Sequence, residues 1–346
     1  MSADSSLEEI INQNHAGDEK QLEIIFSSKD RIVVEAPAGC GKTSTMVSKV
    51  AYLIAKKKIP KNKKMLALTF SVNAAYKMKK DIAEKLPAFG LNQVNTPKDL
   101  NRLIYISNYH GLCRRIISLY GYLFDERLKD INNFKAMNEN DYKSSENFEE
   151  YGLEISEDEK VFFSKFNKAV LNCDKDTVET LEEQYCEVLK NKFLKLKCIT
   201  YNGYLVLAKW LLSNNTELLR FYQRLYSLII IDEFQDTNFL SWNFICTLIN
   251  DETKLFFMGD SLQRIYGFIG AIPNILEKAQ IEFSMDKIEM VKNYRFENNP
   301  DMLLLDKNIR ENAKNIIVPQ INNDAKINLH FTKTQEEESQ WVVCKW

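Results

Sequence analysis

One segment near the start of the chain constrains the fold more than any other. Residues 31–36 (RIVVEA) form an apolar run typical of a buried strand, and residues 36–43 (APAGCGKT) follow as a glycine-containing loop. A helix is predicted next, because apolar residues recur there at helical spacing, namely Met46, Val50, Leu53 and Ile54. Strand, loop and helix in this order form the context of a phosphate-binding loop, which a chance glycine-rich turn would lack. The segment therefore predicts a nucleotide site in an α/β domain.

Each part of this loop has a role in binding phosphate. Gly39 and Gly41 let the backbone wrap so that N–H groups face a phosphate, and the N-terminus of the next helix adds partial positive charge. Lys42 supplies a positive charge to the β- and γ-phosphates, and the Thr43 hydroxyl supplies a ligand for Mg²⁺. The predicted contacts of the loop are Ala36, Pro37, Ala38, Gly39, Cys40, Gly41, Lys42 and Thr43.

Three more apolar runs predict strands of the same sheet. They are residues 65–70, 228–231 and 255–258. Helices are predicted around residues 74–86 and after Asn238, and strands that alternate with helices indicate a parallel sheet with helical crossovers. Between about residues 112 and 225 the strand signal is absent and the period is helical, which predicts a helical insertion in the α/β domain.

An acidic pair follows the strand predicted at residues 228–231. In the string IIIDEFQD, Asp232 can hold the Mg²⁺ shell, and Glu233 can orient and deprotonate an attacking water. Both acids would lie at the carboxyl ends of the strands, where open α/β sheets bind ligands. The alternative is that they cap the next helix. No NKxD-type guanine motif is present, which favours ATP over GTP.

Composition limits the partners. The formal net charge is −2, so a nucleic-acid site would have to be a local groove rather than a broadly basic surface. The seven cysteines have no metal-clip spacing and fit reduced thiols in a cytoplasmic protein. The N-terminus does not read as a signal peptide, and no apolar stretch is long enough to span a membrane, so no membrane partner is expected.

Several strings occur in the order that the UvrD/PcrA/Rep family of superfamily 1 DNA helicases shows. They are MLALTFSVNAAYKMKKDI, SNYHGLCRRI, DEFQDTN, GDSLQRIYGFIGA and NYRF. The fourth is similar to the family's GDxxQxIYxFxGA segment and is the most specific match. The second departs from the family's Thr-Phe-His-Ser segment, with Asn108 for Thr and Gly111 for Ser. The chain therefore resembles the N-terminal motor half of this family, which implies a RecA-like P-loop NTPase sheet.

The resemblance implies further nucleotide contacts. Gln21 corresponds to a glutamine that reads adenine, and Gln263 to one that senses the γ-phosphate and couples it to DNA. Tyr294 would stack on adenine and Arg295 would contact the γ-phosphate, although both could instead belong to a capped helix entrance. Ser44 would also line the site, at a position where close family members carry an arginine against adenine, which puts base selectivity in question.

The resemblance also implies a site for single-stranded DNA or a single-strand/double-strand junction. Aromatic rings hold bases without sequence preference by stacking. The candidate contacts are Phe70, Tyr109, His110, Tyr266 and Phe268. Core packing is the alternative for Phe70 and Tyr266, whereas Phe268 lies between glycines in a predicted loop.

The expected organisation follows the family. Residues 1–111 and 226–290 would form the first RecA-like domain, residues 112–225 a helical accessory insertion, and residues 291–346 the start of an incomplete second RecA-like domain. The expected function is ATP hydrolysis coupled to movement on single-stranded DNA. The alternative is a nucleotide-dependent DNA-binding or regulatory subunit beside a nuclease in repair or phage defence. Continuation of the coding sequence past Trp346 would favour the motor.

Overall fold

The structure, a computed structural model, describes residues 3–89, 97–138, 153, 155–267, 270–314, 334, 337 and 339. Eight strands occur among these residues: β1 Arg31–Glu35, β2 Lys64–Thr69, β3 Ile104–Asn108, β4 Lys135–Met137, β5 Cys198–Thr200, β6 Tyr226–Ile231, β7 Lys254–Gly259 and β8 Asp286–Glu289. The α-helices among them are α1 Ala3–Asn14, α2 Glu19–Phe26, α3 Lys42–Ala55, α4 Val72–Lys85, α5 Pro97–Leu103, α6 Tyr109–Tyr120, α7 Glu157–Leu171, α8 Lys175–Val188, α9 Tyr201–Ser213, α10 Thr216–Leu225, α11 Phe239–Leu248, α12 Ile275–Glu282 and α13 Pro300–Lys314. Shorter helical turns include Glu126–Asn133, Phe234–Asp236 and Ser261–Gln263.

Six strands form one parallel sheet in the order β3-β2-β6-β7-β1-β8. The α/β class and the parallel sheet predicted from the sequence are confirmed. All four strands predicted from apolar runs are present with ends shifted by one or two residues. The edge strands β3 and β8 were not predicted, because edge strands carry polar residues and lack a continuous apolar run.

Alternate residues of the central strands face two separate cores. In β6, Ile229 and Ile231 pack into the core on one face, and Leu228 and Ile230 pack into the core on the other. Helices α1 to α5 cover the second face, and α6 to α12 cover the first. Because both faces are covered, the strands need apolar side chains on both sides, which explains their continuous apolar runs.

The segment between β3 and β6 is mainly helical, as predicted, but it is not free of strands. Strands β4 and β5 pair in parallel from Lys135↔Cys198 to Met137↔Thr200. The pair spans three residues on each side, too few to give a periodic signal in the sequence. The insertion's buried side chains, such as Phe163, Phe166 and Tyr185, belong to the same core as one face of the main sheet.

The chain divides into two compact units, Met1–Lys292 and Asn293–Trp346. The first contains both sheets. The second contains α13, preceded by a turn in which the Asn293 side chain accepts from the backbone N–H groups of Arg295 and Phe296 at 3.0 and 3.2 Å. Within the described residues, no helix has both the length and the apolar character needed to cross a membrane.

Candidate functional site

The carboxyl ends of neighbouring strands gather the predicted nucleotide contacts at one edge of the sheet. Strands β6, β7 and β1 are adjacent in the order of the sheet. Because all three are parallel, the loops that follow them emerge on the same side. The phosphate loop follows β1, the acidic pair follows β6, and Asp260 follows β7. The fold thus assembles the site from segments about 200 residues apart in sequence, as the separation of Lys42 and Glu233 illustrates.

The loop before α3 has the backbone geometry that its glycines predict. Gly39 and Gly41 have φ angles of 81° and 79°, in the left-handed region that L side chains rarely adopt. Gly41 is also the N-cap of α3, and a Cβ there would lie 2.7 Å from Gln21 Nε2. A side chain at position 41 would therefore meet both backbone strain and a clash, so glycine is required there.

A hydrogen-bonded pair that sequence reasoning missed holds this loop against the neighbouring strands. Asp260 is fully buried, and its Oδ2 accepts from the backbone N–H of Ala38 at 3.1 Å. The Asp260 backbone N–H donates to Gln235 Oε1 at 3.0 Å, and Gln235 Nε2 donates to Glu233 Oε2 at 2.9 Å. The loops after β1, β6 and β7 are therefore joined by direct bonds. Asp260 and Gln235 lie inside the strings GDSLQ and DEFQD, which is the signal that could have identified them.

Lys42 and Glu233 form the central ion pair of the site. Lys42 Nζ lies 2.5 Å from Glu233 Oε2, with side-chain exposures of 11% and 37%. Glu233 has a φ of 50°, in the left-handed region, at the turn from β6 into Phe234–Asp236. A non-glycine residue in this conformation is held by its surroundings, and such residues cluster at functional sites. The predicted phosphate-binding cation and the predicted general base are thus adjacent.

Asp232 is buried beside this pair and lacks a hydrogen-bond partner for one oxygen. Its Oδ1 is buried with no hydrogen bond, as is Oδ1 of Asp236. Burial, and then the neighbouring charge of Glu233, raises the pKa of Asp232 to about 6, and the same causes raise the pKa of Asp236 to about 6. A buried carboxylate oxygen without a donor is costly unless a cation balances it. The donor set of Asp232 with the Thr43 hydroxyl fits Mg²⁺, which prefers oxygen ligands.

Gln21 lies against the phosphate loop from the N-terminal side. It is 4% exposed, and its Nε2 donates to the carbonyl of Cys40 at 3.1 Å. Its Oε1 contacts His15 Nδ1, a partner that nothing in the sequence indicated. Asp18 caps α2 and accepts from the backbone N–H of Gln21 at 3.0 Å. The structure therefore places Gln21 beside the phosphate loop, and its contact with adenine stays a prediction.

Two of the predicted DNA contacts stack on each other. The rings of Phe70 and Tyr266 have centroids 4.3 Å apart and planes 23° apart. Both side chains are only partly buried, so neither belongs to the core. Phe70 follows β2 and Tyr266 follows the turn after β7, which places the aromatic pair at the same edge of the sheet as the nucleotide residues.

The other predicted DNA contacts differ in position. Tyr109 is 6% exposed, its hydroxyl lies 2.9 Å from Thr237 Oγ1, and its ring packs in the core. This burial argues against the predicted contact between Tyr109 and a base. His110 is partly buried and packs edge-on against Tyr201 at 5.6 Å. Gln263 is partly buried in the turn after β7, with its backbone N–H bonded to Asp260 O. Phe268 lies outside the described residues.

The remaining predicted contacts divide between the two units. Thr43 is partly buried and Ser44 exposed, and the Ser44 hydroxyl accepts from Lys85 Nζ at 3.2 Å. Tyr294 and Arg295 belong to the second unit, in the turn that Asn293 closes, and Arg295 is exposed. The turn is separate from the entrance of α13, which begins at Pro300 and where Asn299 Oδ1 accepts from the backbone N–H of Met302 at 3.2 Å.

A parallel sheet whose strand ends carry a lysine-containing phosphate loop and an adjacent acidic pair defines the P-loop NTPase class. Within that class, the family model described as UvrD/REP helicase N-terminal domain matches residues 18–284. This chain belongs to the UvrD/REP helicase family. The sequence-based resemblance is thereby confirmed.

Several curated proteins are similar to this chain. A probable DNA helicase II homolog of Mycoplasma genitalium is 27% identical, covering 94% of this chain and 48% of that protein. The ATP-dependent DNA helicase PcrA of Staphylococcus aureus is 25% identical, covering 95% and 45%. A probable DNA helicase of Mycoplasma pneumoniae is 27% identical, covering 76% and 50%. The chain thus spans about half the length of the curated relatives it matches.

Proposed function

We propose that this chain carries the ATP-hydrolysing site of a DNA helicase or translocase that moves on single-stranded DNA. The observation that carries the proposal is the Lys42–Glu233 ion pair at the carboxyl edge of the sheet, with Oδ1 of Asp232 buried and without a hydrogen bond beside it. The names of the relatives, an ATP-dependent DNA helicase among them, support the same activity.

In the proposed hydrolysis, Lys42, Glu233 and Gln235 each have a separate role. The Lys42 ammonium leaves Glu233 for the γ-phosphate when nucleotide enters, which releases the Glu233 carboxylate. Glu233 then orients the attacking water and accepts its proton. The bond from Gln235 Nε2 to Glu233 Oε2, at 2.9 Å, keeps this carboxylate oriented during the exchange. Gln263 lies in the turn after β7 and is the candidate link between the γ-phosphate and DNA.

Mg²⁺ is the proposed cofactor beside ATP. Asp232 and the Thr43 hydroxyl would hold it, Asp232 within the metal's hydration shell and Thr43 as a direct ligand. When bound, the ion would neutralise charge on the phosphate oxygens during cleavage. Its positive charge would also stabilise the ionised form of Asp232, whose pKa burial raises.

The proposed DNA contacts are Phe70, Tyr266, His110 and Phe268. Tyr109 is left out because of its burial. The stacked Phe70–Tyr266 pair offers an aromatic platform at the edge of the sheet that carries the nucleotide residues. Base stacking of this kind tolerates every sequence, as a translocase requires. By the family resemblance, Tyr294 and Arg295 remain proposed contacts of adenine and γ-phosphate.

We further propose the domain division expected from the family. The first RecA-like domain would comprise residues 1–111 and 226–290, with residues 112–225 inserted and residues 291–346 beginning a second one. The compact unit that ends at Lys292 supports the last of these boundaries.

The test is the rate of ATP hydrolysis by the natural full-length protein, with and without an oligothymidylate strand. The proposal expects MgATP turnover that rises at least tenfold with the strand, and Lys42→Ala abolishes the turnover in both conditions. A matched control is Lys165→Ala, which removes an exposed lysine of the helical insertion. MgATP binding without DNA-stimulated turnover would contradict the motor and would favour the regulatory-subunit alternative.

A further inference from the structure

A buried histidine contacts the glutamine beside the phosphate loop. His15 is 5% exposed and lies in the turn between α1 and α2, where Ala16 and Gly17 have φ angles of 49° and 69°. The backbone N–H of Asp18 donates to the His15 carbonyl at 2.9 Å and closes the turn. The turn thereby fixes the imidazole next to Gln21.

The contacts of His15 and Gln21 determine which ring nitrogen of His15 carries the proton. Gln21 Nε2 donates to the Cys40 carbonyl, which can only accept, and Oε1 on the other side of the amide faces His15. His15 Nδ1 therefore carries the proton and donates to Oε1. His15 Nε2 lies 2.8 Å from Ser48 Oγ, and Lys85 Nζ donates to the same oxygen at 3.0 Å.

The contacts of Ser48 and Lys85 favour the same tautomer. The Ser48 oxygen accepts from Lys85, so its own proton is free to be donated to His15 Nε2. A neutral imidazole with an accepting Nε2 must carry its proton on Nδ1. Burial, and the charge of Lys85 on α4, lower the pKa of His15, whereas its bond to Gln21 and the charge of Asp18 oppose this. The neutral form is thus favoured.

The orientation of the Gln21 amide decides which base it can read. His15 occupies one lone pair of Gln21 Oε1, and the Cys40 carbonyl occupies one N–H of Gln21 Nε2. One lone pair of Oε1 and one N–H of Nε2 therefore remain available to a base. Adenine offers an amino donor beside the acceptor N7, whereas guanine offers two acceptors, O6 and N7. The remaining acceptor and donor match adenine. A reversed amide would set an N–H against adenine's amino group and would favour guanine O6.

We propose that His15 is a positioning residue that, together with the Cys40 carbonyl, fixes the amide of Gln21 and so strengthens a preference for adenine over guanine nucleotides. The inference rests on the proposed ATP site and adds a determinant of its specificity. His15 itself need not touch the nucleotide, since it acts through Gln21. The Ser48–Lys85 pair extends the arrangement to α3 and α4.

Two substitutions of His15 separate this role from a merely structural one. In His15→Asn the amide nitrogen can occupy the place of Nδ1 and still donate to Gln21. In His15→Gln it reaches the place of Nε2, near Ser48, and leaves Gln21 without its donor. Dissociation constants for MgATP and MgGTP are measured by calorimetry on the full-length protein, with tripolyphosphate as a probe of the phosphate loop without a base.

The wild type and His15→Asn should prefer ATP, and His15→Gln should lose about three- to tenfold of the ATP/GTP preference, the value of one neutral hydrogen bond. Tripolyphosphate should bind all three equally. Equal ATP/GTP ratios in the wild type and His15→Gln would overturn the proposal, as would a wild type without preference. If the wild type binds neither MgATP nor tripolyphosphate, the proposed function itself fails.

A second variant keeps the test decisive if His15→Gln does not fold. Ser48→Ala removes the hydroxyl that donates to Nε2 and frees His15 to take the other tautomer. The ATP/GTP ratio should fall in this variant but not in Ser164→Ala, which removes an exposed serine of α7. A ratio unchanged by Ser48→Ala would contradict the proposed selection of the tautomer.

Discussion

At the scale of single residues, the site depends on opposite charges held close together in a partly buried edge of the sheet. Lys42 is mostly buried, and Glu233 is its counterion at 2.5 Å. Asp232 lies nearby with a buried oxygen that has no hydrogen bond. Buried charges of this kind destabilise the folded chain unless a ligand balances them. A phosphate would pair with Lys42, and a cation would pair with Asp232. We therefore expect the binding of nucleotide and metal to reduce the cost of burying these charges.

Substituting Lys42 should affect nucleotide binding directly. Lys42→Ala removes the cation proposed to contact phosphate and leaves Glu233 as an uncompensated negative charge facing the nucleotide. We expect MgATP binding to weaken by about 10- to 100-fold, the range for a charge-assisted hydrogen bond. Titration with a fluorescent ATP analogue measures this, with Lys165→Ala as the control. Unchanged affinity in Lys42→Ala would contradict the phosphate-loop assignment.

The raised pKa of Asp232 predicts a pH-dependent cost to folding. The folded state holds this proton up to a pKa of about 6, against 3.8 for an ordinary carboxyl, so stability falls as pH rises through this window. Asp232→Asn removes the buried charge. Without nucleotide or metal, its free energy of unfolding at pH 7 should exceed that of the wild type by about 1–3 kcal/mol.

Urea unfolding at pH 7 and pH 4.5 tests this expectation. The advantage of Asp232→Asn should shrink at the lower pH, where the wild-type carboxyl is also neutral. Asp236 titrates in the same window, since its pKa is also raised to about 6, and it remains in both proteins as an internal reference. A variant less stable than the wild type at pH 7 would show that another contact of Asp232 outweighs its desolvation.

At the scale of elements, the sequence predicts the position of loops and side chains that directly follow a buried strand. The phosphate loop, Lys42 and Glu233 lie where strand, turn and helix patterns placed them, since a parallel sheet aligns the ends of its strands. The two edge strands and the β4–β5 pair were missed, because their stability comes from tertiary neighbours rather than from their own apolar pattern.

Side-chain partners across long sequence separations were also not predictable. The turn at Ala16 and Gly17 brings His15 to Gln21, and no periodic pattern signals this approach. The ring of Tyr109 was predicted to contact DNA because its motif resembles a family segment. Its burial against Thr237 depends on how α6 packs on the sheet, which the motif alone does not contain. A motif match thus did not predict how deeply the side chain of Tyr109 is buried.

The stacked pair of Phe70 and Tyr266 is expected to contribute to DNA binding. Phe70→Ala and Tyr266→Ala should each weaken binding to an oligothymidylate strand by about 1–3 kcal/mol, the value of one base–aromatic stack, and should leave MgATP affinity nearly unchanged. Because the two rings stack on each other, the double variant should lose less than the sum of the single losses.

Fluorescence anisotropy with a labelled strand measures these losses. Phe221→Ala, at an aromatic side chain of α10 that is 49% exposed, is the control and should bind the strand as the wild type does. Equal losses of DNA and MgATP affinity in Phe70→Ala would indicate a folding defect rather than a DNA contact.

At the scale of the whole molecule, the family match lies in the first compact unit, which also holds every described candidate contact except Tyr294 and Arg295. Residues 18–284 match the family, and they include the phosphate loop, the acidic pair and the aromatic pair. The insertion between β3 and β6 shares its core with one face of the sheet. The helical segment and one face of the sheet therefore rest on one continuous core.

Glu233 is the proposed base of the ATP-hydrolysing site, and the substitution Glu233→Gln is the sharpest test of that role. Phosphate release is measured on the full-length protein at saturating MgATP and oligothymidylate, with Glu187→Gln, at an exposed position of α8, as the control. We predict that Glu233→Gln binds MgATP within about threefold of the wild type and loses at least about 100-fold in turnover, the contribution of a general base. Turnover of Glu233→Gln within a few-fold of the wild type would show that Glu233 is not the base.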